Sequence, residues 1–185
     1  MSRFPLITLA VIAMGFGSTA GSAAPPGYFD LSPGVTLTTG ESWSDGAENF
    51  RLYGIQSCIR STTYTNGAGQ VADCGEASLA MFAAYIKDTK PVCAPVIVLH
   101  ELTYVMCYAT VGSDQLDLGT LLVSSGFAFA ALDRDGLPYS ASYAVAEQTA
   151  REGKRGLWQF SDVQHPAIAL AMEANKTTED APNDR

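Results

Sequence analysis

A helical period of apolar residues stands out in the middle of the chain. Four apolar side chains recur at i, i+3, i+4 and i+7, so that they share one face of a helix: Leu79, Phe82, Ala83 and Ile86. Asp73 precedes them, and Glu76 follows it by three residues, which is the pattern of a capping box. The pattern predicts a helix that begins at Asp73. Further helices are predicted at 117–126 and at about 140–153, and Pro166 opens a brief last one.

Short runs of strand-forming residues surround the predicted helices. Five such runs predict strands: 34–38, 50–55, 92–99, 104–111 and 127–131. The stretch 40–49 is polar and predicts a turn, whereas 61–70 predicts a loop by its composition. Strands that pair among a few inserted helices indicate an α+β fold, in the form of a closed β-barrel with flanking helices.

The beginning of the chain has the three-part layout of a secretory signal. Arg3 supplies a positive charge, residues 4–16 are apolar, and small residues follow. This apolar run is shorter than the roughly 20 residues that a membrane span requires. We therefore expect export to the periplasm or the medium, with an N-terminal membrane anchor as the alternative. The predicted segments are a signal peptide at 1–24, a lead-in at 25–33, one folded domain at 34–160, and a short helix with a flexible polar tail at 161–185.

Composition and charge narrow the class of protein. The chain has 185 residues, of which 47% are hydrophobic, and this excludes wholesale disorder. It has 11 Lys and Arg against 19 Asp and Glu, a net charge of −8. Such a surface repels phosphate backbones, so we expect no strong binding of nucleic acid.

Four cysteines lie in the predicted mature part: Cys58, Cys74, Cys93 and Cys107. An even number of cysteines in an exported chain indicates two disulfides, and the sequence leaves all three pairings open. The four are widely spaced and form no CxxC pair, so they do not indicate a metal site. We expect no cofactor.

Four stretches occur in the order and at the spacing of one known family. They are FRLYGI at 50–55, DCGEA at 73–77, the DLG, LV and GFA words within 117–128, and the final Tyr143, Glu147, Ala150-Arg151 and Gly156-Leu157-Trp158. Through them the chain from Gly34 to Trp158 resembles the thermonuclease (staphylococcal-nuclease-like) family. The resemblance implies a five-stranded OB-type β-barrel with about three flanking helices. It also implies disulfides Cys58–Cys74 and Cys93–Cys107, and the second pair flanks a polar break between two predicted strands.

The family hydrolyses phosphodiesters with calcium, and this chemistry needs carboxylate ligands, a general-base Glu and two Arg. Arg51 matches one Arg. Gln56 stands where the family has a metal-binding Asp, Ile59 where it has the general base, and Tyr104 where it has the second Arg. The resemblance therefore implies a degenerate site with no evident catalytic residue, and the chain is expected not to be an efficient enzyme.

Three functions stay open at this point. The first is an exported, non-catalytic protein with an accessory or binding role. Its layout is similar to the exported nuclease-like proteins encoded with exopolysaccharide (succinoglycan) biosynthesis in rhizobia, which implies acidic polysaccharide or envelope proteins as partners. The second is a weak secreted calcium-dependent nuclease with relocated metal ligands, such as Glu41, Asp45 or Glu48. The third is a purely structural or protein-binding module of the envelope.

Several other residues are interpreted structurally. Glu147 and Arg151 stand at i and i+4, which predicts an ion pair on a helix surface. The stretch 133–136 (DRDG) resembles the start of a calcium loop but lacks its distal Glu, and it predicts a turn. Residues 100–103 are also expected to be a turn. Three aromatic residues are predicted to lie in the core: Tyr143, Trp158 and Phe127. For Arg51, binding of an anionic ligand and a structural ion pair both stay open.

Overall fold

The computed structural model describes residues 27–179 as an α+β structure, so the predicted signal segment lies outside the described residues. Eleven strands are present in this range: β1 (Phe29–Asp30), β2 (Thr36–Thr39), β3 (Ser42–Asp45), β4 (Glu48–Leu52), β5 (Ile55–Ser57), β6 (Thr63–Thr65), β7 (Val71–Asp73), β8 (Val92–Leu99), β9 (Leu102–Val111), β10 (Asp114–Asp117) and β11 (Ala128–Ala130). Five helical segments accompany them: α1 (Cys74–Thr89), α2 (Leu118–Ser124), α3 (Ala141–Glu152), the 3-10 helix η1 (Gly156–Gln159) and α4 (Pro166–Glu179).

Seven strands form one curled, mixed sheet. Its order is β1-β8-β9-β4-β3-β2, and β10 pairs with β9 beside this path. β4 and β9 are parallel, whereas the other pairs in the sheet are antiparallel. β5 pairs with β11, and β6 pairs with β7. The predicted α+β class is confirmed, and the curled half-barrel is compatible with an OB-type barrel.

One strand lies where the sequence predicts a turn. β3 falls within 40–49, and its only large apolar side chain, Trp43, is 1% exposed. With a single apolar residue among its four positions, β3 shows no recognisable alternation of apolar and polar residues. The predicted strand 50–55 is instead divided in two, because Gly54 has a φ of +75° and turns the chain between β4 and β5.

Several further elements differ from the prediction. β6 lies inside the predicted loop 61–70, and β1, β7 and β10 have no counterpart among the predicted strands. Helix α4 continues to Glu179, so it is longer than the short helix expected within 161–185. Helix propensity is high in the alanine-rich first half of α4, and it favours this continuation.

The N-terminus of α1 is capped as the sequence predicts. Asp73 Oδ1 accepts the N–H of Glu76 at 2.9 Å, and Asp73 Oδ2 accepts the N–H of Ser61 at 2.8 Å. The Glu76 carboxylate does not complete the capping box but lies 2.9 Å from Arg60 Nη1. Partial burial opposes ionisation of Asp73, but the backbone N–H groups and the Arg60 charge outweigh it and lower the pKa of this carboxyl.

We expect Asp73→Ala to lower the free energy of unfolding by about 1–2 kcal/mol at neutral pH. Because the pKa of Asp73 is lower in the folded than in the unfolded chain, its stabilisation is complete above about pH 5 and is lost as the pH falls through the folded-state pKa. Urea unfolding at pH 7 and at pH 3 measures the difference, with the exposed Asp114→Asn as control. An Asp73→Ala effect that stays constant between these pH values would contradict the assignment.

The interior consists of two adjoining clusters. The larger lies between the main sheet, α1 and α2, and the smaller surrounds the Cys58–Cys74 disulfide with Phe129. Tyr143 is 4% exposed and belongs to the core, as predicted. Trp158 and Phe127 are half-buried against the smaller cluster, so they complete the core at its edge.

Candidate functional site

Arg51 belongs to a network with a buried carboxylate. In the β3–β4 pair Arg51 stands opposite Ser42, and Glu41 immediately precedes Ser42 in the chain. Arg51 Nη2 lies 3.0 Å from Glu41 Oε1 and donates to Gln56 Oε1 at 2.6 Å. Gln56 Nε2 donates in turn to Glu41 Oε1 at 3.1 Å. The three side chains close a triangle of polar contacts in which the positive charge of Arg51 is neutralised.

The Glu41 side chain is almost completely buried. It is 3% exposed, and Oε2 accepts the Thr39 hydroxyl at 2.6 Å. The backbone at Gly40 makes this placement possible, since a Cβ there would lie 2.7 Å from Ser78 Cβ on α1. Both oxygens of Glu41 therefore have donors, which a buried charge requires in order to be tolerated.

Arg51 and Gln56 line two clefts. The first, the tyrosine cleft, has a volume of about 340 Å³ and is lined by the two polar side chains together with Tyr53, Tyr104, Tyr139, Ile97 and Leu99, among others. The second, the loop cleft, measures about 400 Å³ and is lined by the same pair with Glu41, Ile59, Arg60 and Leu170, among others. Of the positions implied by the resemblance, Arg51, Gln56 and Tyr104 therefore share a cleft, while Ile59 lies in the neighbouring one.

The tyrosine cleft has a polar and an apolar end. Arg51 on β4 stands opposite Tyr104 on β9, and Tyr104 stands opposite Ile97 on β8. Directly opposed residues of neighbouring strands share one face of a sheet, so the three side chains form a row across it. The Tyr53 ring packs edge-on against Tyr104 and Tyr139, with centroids 6.4 Å and 6.3 Å apart. A ligand in this cleft meets aromatic surface between a guanidinium and aliphatic side chains.

Arg51 keeps part of its donor capacity. Its polar contacts with described residues all use Nη2, so Nε and Nη1 have no partner within residues 27–179. The side chain is 28% exposed, and it lines both clefts. The ion pair and the capacity to bind a ligand, which the sequence left as alternatives, therefore coexist in one residue.

The carboxylates considered as relocated calcium ligands are not brought together. Glu41 lies in the network with Arg51, but Asp45 and Glu48 pair with each other at the turn of the β3–β4 hairpin. At about 3.3 Å per residue, three register positions separate that turn from Arg51 by roughly 10 Å. Within residues 27–179, no three His, Cys, Asp or Glu side chains are grouped so that they could hold a metal ion.

The structure adds three residues to the site that the sequence analysis missed. Thr39 supports Glu41, and Tyr53 and Tyr139 line the tyrosine cleft. Tyr53 follows Arg51 by two residues, and residues at this spacing lie on the same face of a strand. The sequence could therefore have predicted that Tyr53 lies beside Arg51. Tyr139 precedes α3 by two residues and reaches the cleft only through the tertiary fold.

The predicted ion pair between Arg151 and Glu147 is present, but Glu147 is not a surface residue. Its side chain is 8% exposed, its Oε2 accepts the N–H of Ala130 at 2.8 Å, and the same oxygen lies 3.4 Å from His165 Nε2. Arg151 is more distant, with Nη1 3.9 Å from Glu147 Oε1, and its guanidinium lies 4.7 Å from the centroid of the Trp158 ring. Glu147 thus joins α3 to β11 and to the start of α4, because a buried backbone N–H requires an acceptor.

The stretch 133–136 is a turn, as predicted, whereas only the first two residues of 100–103 form one, because Leu102 and Thr103 belong to β9. His100 has a φ of +56°, and together with Glu101 it connects β8 to β9. In the 133–136 stretch, Asp133 Oδ1 accepts the N–H groups of Asp135 and Leu137, each at 2.9 Å. This carboxylate is occupied by its own backbone turn.

Both disulfides join the pairs that the resemblance implies. Cys58 follows β5 and is bonded to Cys74, the first residue of α1. Cys93 and Cys107 stand opposite each other in the β8–β9 pair and are bonded across it. The first disulfide secures the loop that contains Ile59, and the second lies in the core beneath the sheet.

Comparison with known proteins does not assign this chain to a family. A scan against protein-family models finds no match to the chain, and a search of curated proteins finds none either. Among the described residues, no helix is both long and apolar enough to cross a membrane. The site itself therefore carries the functional argument.

Proposed function

We propose that this chain is an exported, non-catalytic binding domain that holds a saccharide chain in the tyrosine cleft. We further propose that it is a degenerate relative of the thermonucleases with an OB-type barrel. The observation that carries the proposal is the Arg51 network. A guanidinium neutralised by Glu41 and Gln56 beside three tyrosines suits recognition of a ligand better than stabilisation of a phosphorane-like transition state.

Hydrolysis lacks its chemical groups at this site. Ile59 can accept no proton from water, and Tyr104 brings no positive charge to a phosphate. Both oxygens of Glu41 are engaged by Arg51, Gln56 and Thr39, so a cation would have to displace these partners. Binding of a ligand without its hydrolysis requires neither a general base, nor a second positive charge, nor a cation at Glu41.

A saccharide suits the composition of the cleft. OB-type barrels bind oligonucleotides and oligosaccharides along one face of the sheet. The net charge of −8 opposes a polymer with a charge on each nucleotide, but less so a polysaccharide with widely spaced charges. Tyrosine rings offer apolar faces with a polar tip, and Nε and Nη1 of Arg51 suit a sugar carboxylate. The role that follows is accessory, in making or exporting an acidic exopolysaccharide, and two disulfides suit an exported protein.

We expect Tyr104→Ala to weaken binding of an oligosaccharide that contains uronic acid by about tenfold or more, because it removes the middle of the aromatic surface. Titration calorimetry against that oligosaccharide and a neutral one of equal length measures the effect. The control is Tyr28→Ala, which removes a half-exposed tyrosine outside the cleft. Equal weakening by both variants, or no binding by the wild-type protein, would contradict the proposal.

A nuclease assay separates this proposal from its alternative. Single-stranded DNA and RNA are incubated with the mature protein in calcium and in chelator, and we expect no hydrolysis above background. Calcium-dependent hydrolysis that disappears in a folded Glu41→Gln variant would establish the relocated-ligand nuclease instead.

A further inference from the structure

A cleft between α3 and α4, the α3–α4 cleft, contains none of the residues of the Glu41 and Gln56 network. Its volume is about 810 Å³, which lies within the range of small-molecule sites. From α3 it is lined by Ala144, Gln148 and Arg151, which share one face of the helix at i, i+4 and i+7. The cleft is therefore a groove between two helices, and its two ends differ in chemistry.

The polar end of the cleft presents hydrogen-bond donors. Arg151 Nη1 lies 3.9 Å from Glu147, which is beyond hydrogen-bond distance, and the guanidinium makes no hydrogen bond within residues 27–179. It lies over the ring of Trp158, whose Nε1–H is buried without an acceptor among the same residues. Guanidinium and indole groups donate but do not accept. This end therefore suits a group that only accepts hydrogen bonds, such as a carboxylate.

The Glu147 carboxylate at this end already has other donors. Its Oε2 accepts the N–H of Ala130 and lies 3.4 Å from His165 Nε2. His165 Nδ1 accepts the N–H of Ala167 at 3.1 Å, so the neutral ring carries its proton on Nε2 and directs it at Glu147. Because these donors stabilise the carboxylate, Arg151 can bind an anion from outside the chain.

The rest of the cleft is mainly apolar. The apolar side chains that line it include Leu132, Pro138, Ala144, Ile168, Ala171 and Met172. Ile168 and Met172 are about half exposed, so they offer apolar surface to a ligand. From Pro166 to Met172, α4 extends for about 9 Å at 1.5 Å per residue, which matches a short alkyl chain.

We propose that the α3–α4 cleft binds a medium-chain fatty acid, with its carboxylate at Arg151 and its alkyl chain along Ile168 and Met172. Burial of the alkyl chain provides affinity, and the guanidinium fixes the orientation of the ligand. The proposal does not depend on saccharide binding in the tyrosine cleft.

Other occupants fit this cleft less well. A cationic amphiphile would place its charge against Arg151. The apolar face of a partner helix would bring no acceptor to the guanidinium or to the Trp158 N–H. A second copy of the chain carries the same net charge of −8, which opposes self-association.

Titration calorimetry of the whole mature protein with decanoate tests the proposal. Decyltrimethylammonium and butyrate serve as comparisons, and all three are used below their micelle-forming concentrations. We expect decanoate to bind at least about tenfold more tightly than either, because only decanoate has both the anionic end and the long chain. It should also shift the indole N–H resonance of Trp158 but not that of Trp43, which lies in the core.

Two variants remove the two ends of the site separately. We expect Arg151→Met to weaken decanoate binding by about tenfold or more, whereas Arg151→Lys retains part of it and the control Lys87→Met, at an exposed position of α1, leaves it unchanged. We expect similar weakening by Met172→Gln, at a position 56% exposed. Its matched control is Val145→Gln, on α3 outside the cleft and 68% exposed.

Urea unfolding establishes that each variant is folded. The proposal is overturned by no binding of decanoate, by equal binding of decyltrimethylammonium or butyrate, or by binding that survives both Arg151→Met and Met172→Gln. It is also overturned by concentration-dependent dimerisation that Met172→Gln abolishes, because the cleft would then hold a second copy of the chain.

Discussion

Replacing Arg51 with methionine is expected to lower the free energy of unfolding by about 3–5 kcal/mol, because it leaves the Glu41 carboxylate buried without its cation. Glu41 is 3% exposed, so its charge is poorly solvated once the guanidinium is removed. Thr39 and Gln56 still donate to the carboxylate, but neither carries a compensating charge. Denaturant unfolding of the purified variant measures the loss.

A second ion pair of nearly equal length provides the control for this experiment. Arg60 Nη1 lies 2.9 Å from Glu76 Oε1, but both side chains are at least half exposed. We expect Arg60→Met to cost below about 1 kcal/mol, as is usual for surface pairs. The double variant Glu41→Gln, Arg51→Met should recover much of the stability lost in Arg51→Met, because it removes the unpaired charge. Equal costs for Arg51→Met and Arg60→Met would disprove a buried, neutralised pair.

The second large effect is expected from the core disulfide. Replacing Cys93 and Cys107 together by alanine should lower the free energy of unfolding by about 3–5 kcal/mol. With a sequence separation of 14, the disulfide contributes about 3 kcal/mol because it restricts the conformational entropy of the unfolded chain. The cavity left where two fully buried residues lose their sulfur atoms adds to this cost. Thermal and urea unfolding of the double variant test this value, and a loss under about 1 kcal/mol would contradict it.

The other disulfide provides the comparison. Cys58 and Cys74 have a similar separation of 16, so their disulfide restricts the entropy of the unfolded chain by nearly the same amount. These two residues line a cleft of about 290 Å³, whereas Cys93 and Cys107 are 0% exposed. Under native conditions we therefore expect a thiol reductant to open Cys58–Cys74 first. Alkylation followed by mass spectrometry reveals the order, and earlier labelling of Cys93 or Cys107 would reverse this interpretation.

Features that depend on neighbours in the sequence were predictable. The capped start of α1 follows from Asp73 and Glu76, because a cap involves residues only three positions apart. The turn at 133–136 is equally local, since Asp133 binds its own following N–H groups. The strand β3 escaped prediction because its burial depends on Trp43 fitting against Phe82 of α1, a contact that no local pattern contains.

Local sequence patterns were sufficient to predict the α+β class and the helix boundaries near α1 to α3. The roles of Arg51 and Glu147 depend instead on the tertiary structure. Arg51 is both paired and partly available, because Glu41 reaches it from the turn between β2 and β3 and Gln56 reaches it from β5. Glu147 is buried, although its spacing from Arg151 predicts a surface pair, because Ala130 directs an N–H at it from β11. Local rules describe a helix or a turn, whereas burial and charge pairing arise only when distant segments are packed together.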